Sequence, residues 1–270
     1  MTTSSQWGKL SPIMALANPE SLSKPERLLW NHGVRHADHI DLEAIANAHG
    51  ARVVYRCHDG CAARLVTNGD QAVISVSDDD NYGRQRFSLG HELAHLICDA
   101  NRTSFKCSTA DIGPQNEESK NVESTANSFA SQLLLPDFLV SPWLLDRKIT
   151  LDVASNLAND FRASLTASAI KLMRQASTPA CIACHDQQRL RWFQKNAKFP
   201  FNFYVKKELH HETPAFEMAF GKGANMSRPR KESADFWLTG PNAYRNTVSS
   251  QSLRLTDGSI LTLISLEWKL

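Results

Sequence analysis

Residues 91–95 read His91-Glu92-Leu93-Ala94-His95, two imidazoles four positions apart with a carboxylate directly after the first. Four residues make about one turn of an α-helix, so in a helical setting both rings project from one face and can hold one ion. Neutral imidazoles bind Zn²⁺ well, and a catalytic zinc takes three protein ligands and leaves its fourth position to water. Glu92 then stands beside that water rather than on the metal, where a carboxylate can accept a proton and later return it to a leaving amine. The competing reading is a pair of satisfied core histidines. A third ligand facing the pair decides between them.

The next helical pattern supplies one. Ala126, Asn127, Ala130, Leu133 and Leu134 recur at the helical period and mark an inward stripe, which Glu123 joins from three and four residues upstream. A carboxylate on a buried stripe is costly unless it is paired or bound to metal. Glu117 and Glu118 fall on the far side and read as solvated charges. The expected site is a zinc ion held by His91, His95 and Glu123, with Glu92 as general base.

Positioning these groups requires ordered elements around them. Asp41 is placed to cap a helix over 42–49, and Gly50 to stop it. Three short β-prone runs follow at 52–56, 63–67 and 72–76, separated by turn residues, and predict a small antiparallel sheet. Helices are expected over 84–98 and 117–134, the second ending at Pro136. Residues 150–174 read as two helices joined near 162–164, a helix-turn-helix outline. Beyond Gln175-Ala176-Ser177-Thr178-Pro179, a linker-like stretch, the segments 190–194, 201–205, 215–220, 253–255 and 260–266 are β-prone.

At this point the sequence resembles the ImmA/IrrE-type zinc metallopeptidases. The resemblance lies in RQRFSLGHELAHLI at 84–97 and ESTANSFASQLLLP at 123–136, with FRASLTASAIKL at 161–172 as a softer third match. It covers about residues 25–175. The first two blocks, with 28 positions from His95 to Glu123, are highly specific. The resemblance implies the same roles for His91, His95, Glu123 and Glu92. It also implies a partner: such proteins are often paired with a helix-turn-helix repressor that they cleave after a stress or mobile-element signal.

The expected architecture is α+β. A zincin-like helical peptidase domain with a small antiparallel sheet occupies 1–148, a helix-turn-helix-like segment 149–177, and a β-rich C-terminal domain 178–270, which the resemblance suggests as a sensor or partner-binding part. Two further functions compete with a cleaving enzyme: a binding module that sequesters a repressor without cutting it, and a DNA-binding regulator.

Composition narrows the choice. The chain of 270 residues is 42% hydrophobic and 21% charged, which excludes a disordered or collagen-like protein. Six cysteines are too few for a disulfide scaffold, the start lacks a secretory pattern, and a reducing cytoplasm is expected. No apolar run approaches the roughly 20 residues of a membrane-spanning helix. The net charge of +2 conceals −3 over 1–177 and +5 over 178–270. Direct nucleic-acid binding is disfavoured, because the second helix of the 150–174 pair carries only Lys171 and Arg174. Arg228, Arg230 and Lys231 form the strongest basic cluster, expected in a solvated loop that can face an acidic partner.

Other motifs are read blandly. Cys181-Ile182-Ala183-Cys184-His185 matches a haem-attachment or half-zinc pattern, but no export signal or clear second pair accompanies it, Cys57 and Cys61 being the nearest candidates. Two free thiols at a strand start is the expectation there. Cys98 is expected as a small buried core residue. His32, His36 and His39 are expected at the surface. No nucleotide-cradling motif is present.

Overall fold

Ser23 opens the first helix, α1 (Lys24–Asn31), through a box in which the Glu26 carboxylate accepts from Ser23 N–H at 3.0 Å and from its hydroxyl at 2.6 Å. The sequence reading does not include this helix, although Ser23-Lys24-Pro25-Glu26 spells its N-terminal signal. The computed structural model describes residues 19–57, 61–69, 71–98, 104–108, 122–221 and 224–267, with the backbone alone over 104–108. They divide into two units. The first runs to Asp146 and includes Asn159–Ser164; the second takes Arg147–Ala158 and everything from Leu165 onward.

In the first unit, Asp41 caps α2 (Leu42–Ala48) by accepting from Ala44 N–H at 2.9 Å, and Gly50 takes the left-handed φ of 77° just past its end. The strands β1 (Ala51–Arg56), β2 (Cys61–Asn68) and β3 (Gln71–Ser77) form at the expected runs. With β4 (Ser104–Ser108) they make a four-stranded sheet in the order β1-β3-β2-β4. The β2–β3 and β2–β4 pairs are antiparallel, but β1 lies parallel to β3. The turn at 68–71 is short enough for a hairpin, whereas β1 sits at the far edge, beyond β3, and so acquires a parallel neighbour.

Helix α3 (Tyr82–Cys98) packs on β2 and β3 and against α4 (Val122–Leu134). Every residue of α3 from Arg86 to His95 is buried, which is the signature of a central helix covered on all sides. The expected start of α4 at 117, with Glu117 and Glu118, lies outside the described residues. Pro136 ends that run, and α5 (Asp137–Leu144) follows directly. Arg86 ties the unit together: its guanidinium donates to Ile40 O at 2.9 Å, Phe161 O at 3.2 Å and Arg162 O at 3.4 Å.

The helix pair appears as α6 (Leu151–Phe161) and α7 (Leu165–Arg174), turned at Arg162 with a φ of 51°. In the second unit, Gln251 caps α6 by accepting from Leu151 N–H at 2.7 Å. The unit is built on a five-stranded antiparallel sheet of β5 (Ala180–His185), β6 (Leu190–Lys195), β8 (Arg230–Ser233), β10 (Thr247–Arg254) and β11 (Ile260–Glu267). Its order is β6-β5-β11-β10-β8. A two-stranded pair joins β7 (Tyr204–Val205) to β9 (Leu238–Thr239). Helix α7 packs on β5, β6 and β11, and the core includes Trp237, Phe203, Ile260 and Ile264.

Three segments depart from the sequence reading. Residues 215–220 lie in a helix, α8 (Pro214–Phe220): Thr213 caps it by accepting from Phe216 N–H, and Pro214 occupies its first turn. Those capping signals outweigh the aromatic β propensity of Phe216 and Phe220. Only Tyr204–Val205 of the 201–205 run is strand, because Pro200 starts a turn closed by Phe203 N–H to Pro200 O at 3.3 Å. Arg230 and Lys231 begin β8 rather than sit in a loop.

Candidate metal centre

Helices α3 and α4 pack side by side, and they come close at Gly90, where an added Cβ would stand 3.3 Å from Ala130 Cβ. One residue on, His91 faces Asn127, and both His91 and His95 face Glu123. The register is a consequence of the sequence: the glycine lets the helix backbones approach, and the stripes of both helices then meet.

The side chains that spacing singled out lie as follows. His91 Nε2 is 3.0 Å from Glu123 Oε2, His95 Nε2 is 3.5 Å from the same oxygen, and the two Nε2 atoms are 3.1 Å apart. Ligand atoms on adjacent corners of a tetrahedron around an ion at ~2.0–2.1 Å are separated by ~3.3 Å, so this donor set fits one small ion. Two imidazole nitrogens and one carboxylate oxygen suit zinc in their chemistry as well. Both imidazoles and Glu92 are fully buried, while the Glu123 side chain keeps 25% of its surface exposed. Glu92, next to His91 on α3, does not belong to the converging donor set.

Electrostatics favour the ligand form of the rings. Burial, and next the neighbouring His95 charge, push the His91 imidazolium below its ordinary pKa, so the ring is neutral near pH 7. Its Nδ1 lies 3.1 Å from Asn127 Oδ1. An Nδ1–H donated to that carbonyl leaves the Nε2 lone pair directed at the cluster. Asn127 is the residue whose role sequence reading missed; its place four positions after Glu123, on the same stripe, was the available signal. A small apolar cavity of about 100 Å³ continues the α3–α4 cleft, lined by Ala94, Cys98, Val122, Thr125 and Ala126.

The other motifs separate. In β5, Cys181 and Cys184 are three residues apart on an extended strand and so point to opposite faces, which rules out a joint metal or haem grip. Burial raises both thiol pKa values, and Cys184 donates to Ser259 Oγ at 3.5 Å. Cys61 is buried and Cys57 exposed. Cys57 lies with Asp78 and Asp79 in an exposed group that sequence reading did not single out. Cys98 is exposed rather than buried, because α3 reaches the surface in its last turn, where Lys24 Nζ approaches its Sγ at 3.3 Å. His32 and His39 are exposed and His36 half-buried. Of the basic residues, Lys171 is 7% exposed, Arg174 donates to Gln194 at 2.6 Å, and Lys231 pairs with Glu267 at 2.7 Å. The helix pair therefore offers little free positive charge. Among the described residues, no helix is long and apolar enough to cross a membrane.

A solved structure described as a Mycobacterium tuberculosis transcriptional regulator superposes with a TM-score of 0.57 at 16% identity, covering 90% of this chain and 74% of that one. At that identity the likeness is one of fold. A search of curated proteins finds no match. The sequence matches the family described as IrrE N-terminal-like domain, peptidase M78, over residues 40–173. That span contains both helices of the cluster and the helix pair that follows them, and through it the chain belongs to the IrrE N-terminal-like, or ImmA/IrrE, family.

Proposed function

We propose that the protein is a zinc-dependent endopeptidase acting on a regulatory protein, a helix-turn-helix transcriptional repressor, released by a stress or mobile-element signal. The observation that carries this reading is the convergence of His91, His95 and Glu123, whose donor atoms all lie within 4.8 Å of one another. His91 and His95 would hold the ion through Nε2 and Glu123 through a carboxylate oxygen. When bound, zinc supplies Lewis acidity that polarises a peptide carbonyl and acidifies water.

Each protein group then has a distinct task. Glu92, the general base, takes the proton of the attacking water and returns it to the leaving amine. Its burial keeps bulk water from competing for that proton. Asn127 orients His91. The Glu123 side chain is part-exposed, and the adjoining apolar cavity is large enough for one small substrate side chain. Residues 178–270, with their basic excess, would face the regulatory partner. A cytoplasmic location accords with five free thiols among the described residues.

Glu92→Gln tests the reading. The amide is isosteric but cannot accept the proton, so the variant should bind one zinc as the parent does while cleavage of the repressor encoded beside the gene falls by at least ~100-fold. Gel analysis of the repressor, with and without a chelator, reads the cut. Undiminished cleavage by the variant would sink the assignment of Glu92, and an intact repressor with the zinc-loaded parent would sink the peptidase reading.

A further inference from the structure

The outer edge of β6 carries bonding groups that the peptidase reading does not use. β6 is an end strand of the five-stranded sheet. Asn196 N–H donates to Ala180 O at 3.0 Å, and the register continues as Ile182 opposite Gln194 and Cys184 opposite Trp192. Antiparallel pairs alternate between bonded and non-bonded, so Trp192, Gln194 and Asn196 direct their main-chain groups at β5. Phe193 and Lys195 therefore direct theirs outward. Among the described residues, the edge is covered at its beginning, by Lys207 O accepting from Leu190 N–H at 2.6 Å.

Alongside this edge runs a groove of about 480 Å³, lined by Arg189, Arg191, Trp192, Phe193, Lys207 and Asp186 among others. Its charge is net positive, three cations standing against Asp186 in the lining and Asp257 beside Arg191. Arg189, Arg191 and Lys207 are exposed, and Arg191 shares its charge with Asp257 at 2.7 Å. The lining carboxylate, Asp186, is engaged by the N–H groups of Gln188 and Arg189, each at 2.7 Å.

Main-chain groups on an open edge call for a polypeptide strand, and the cations beside them call for carboxylates. A second copy of this chain would bring the same cations and be repelled. A nucleic-acid strand would satisfy the cations but has no ladder to offer. We infer that the β6 edge takes an extended acidic peptide as a sixth strand, its main chain bonding at Phe193 and Lys195 and its carboxylates meeting Arg189, Arg191 and Lys207.

Fluorescence anisotropy on the full chain tests this with a labelled peptide of alternating Glu and Val, about ten residues long. Three further probes complete the set: its Gln/Val counterpart, the Glu/Val peptide N-methylated along one edge, and an oligothymidylate of similar length. The Glu/Val peptide should bind roughly ten-fold or more tighter than the Gln/Val one, since several exposed ion pairs each contribute a little. N-methylation keeps every carboxylate but removes the ladder, so that probe should lose binding; because it alters only the probe, it does not depend on any variant folding. Lys195→Pro should weaken binding while sparing the β5–β6 ladder, as its N–H faces outward. Arg189→Glu combined with Lys207→Glu should weaken it too. The proposal is overturned if the Glu/Val peptide does not bind, if the N-methylated probe binds equally, if oligothymidylate binds as tightly, or if the edge instead supports self-association that Lys195→Pro abolishes.

Discussion

At His91 the nitrogen that points away from the cluster matters as much as the one that points into it. Its Nδ1 lies 3.1 Å from Asn127 Oδ1, and a carbonyl oxygen there can only accept, which fixes the tautomer. Asn127→Ala leaves the ring free to turn and to place its proton on either nitrogen. Zinc affinity should fall by roughly 10-fold to 100-fold, read by competition with a chromophoric chelator, and Asn127→Asp should retain most of it. Equal affinity in Asn127→Ala would remove the orienting role. The ligand trio was legible in the sequence because helix geometry converts spacing into direction: His91 and His95 had to share a face, and Glu123 had to join the apolar stripe of the next helix. Asn127 stood on that same stripe, but a stripe gives only an inward direction, not which atom an amide offers. Cys98 misled for a related reason. It shares the face of His95, yet burial depends on where the helix leaves the core, which periodicity does not contain.

Two helices must lie in one register for those side chains to meet; Gly90 permits their contact, and Arg86 braces α3 within the first unit. Gly90 allows the close approach: a Cβ there would stand 3.3 Å from Ala130 Cβ and 3.4 Å from Ala130 Cα. Gly90→Val forces α3 and α4 apart, and overpacking of this kind costs about 1–3 kcal/mol. Weaker zinc binding should accompany the lower stability, and Ala130→Gly in the same chain should recover part of both; failure to recover either would show that the helix contact is not what positions the ligands. Arg86 acts one turn earlier, where its buried guanidinium serves three carbonyl oxygens. Arg86→Met keeps the bulk of the stem but strands those oxygens, and charged hydrogen bonds are worth about 1.5–3 kcal/mol each in such settings. Urea unfolding should show a loss of at least about 2 kcal/mol, and an unchanged midpoint would refute the bracing role. Neither contact was legible, since the carbonyl partners of Arg86 are 46, 75 and 76 positions away. The helices and most strands were legible because each carries its own period and its own stops. The parallel placement of β1 was not, as pairing across a sheet is decided by neighbours distant in sequence. The helix at Pro214–Phe220 is hard to see in the sequence because its aromatics favour strand, while its capping signal, Thr213-Pro214, stands just ahead of the 215–220 run.

Over the whole chain, buried imidazoles tie stability to pH. In the second unit His185 is 1% exposed, and its Nε2–H donates to Lys206 O at 3.0 Å. Burial pushes its pKa below the ordinary value of 6.5, so the folded unit resists a proton that the unfolded chain accepts. The sign follows from linkage: below about pH 6.5 the unfolded state binds the additional proton, and stability present above that value is lost as pH falls toward the folded pKa. His91 in the first unit shifts in the same direction for the same reason. Asp257 and Asp186, held below the usual 3.8, add a second, lower window in which stability is lost only as those carboxylates are protonated. The histidine window is therefore separable. Urea titrations of the metal-free chain should give a midpoint that is flat from about pH 8 to 7 and declines through pH 6 and 5. His185→Gln retains a donor for Lys206 O but cannot titrate, so its decline over that range should be shallower, with the remainder assignable to His91. The same slope in parent and variant would exclude His185 as a source. Zinc adds a further term, since its ligands must be unprotonated: the stabilisation it gives should itself weaken as pH falls toward the lowered folded pKa of His91, and a pH-independent zinc effect would contradict ligation by His91 and His95.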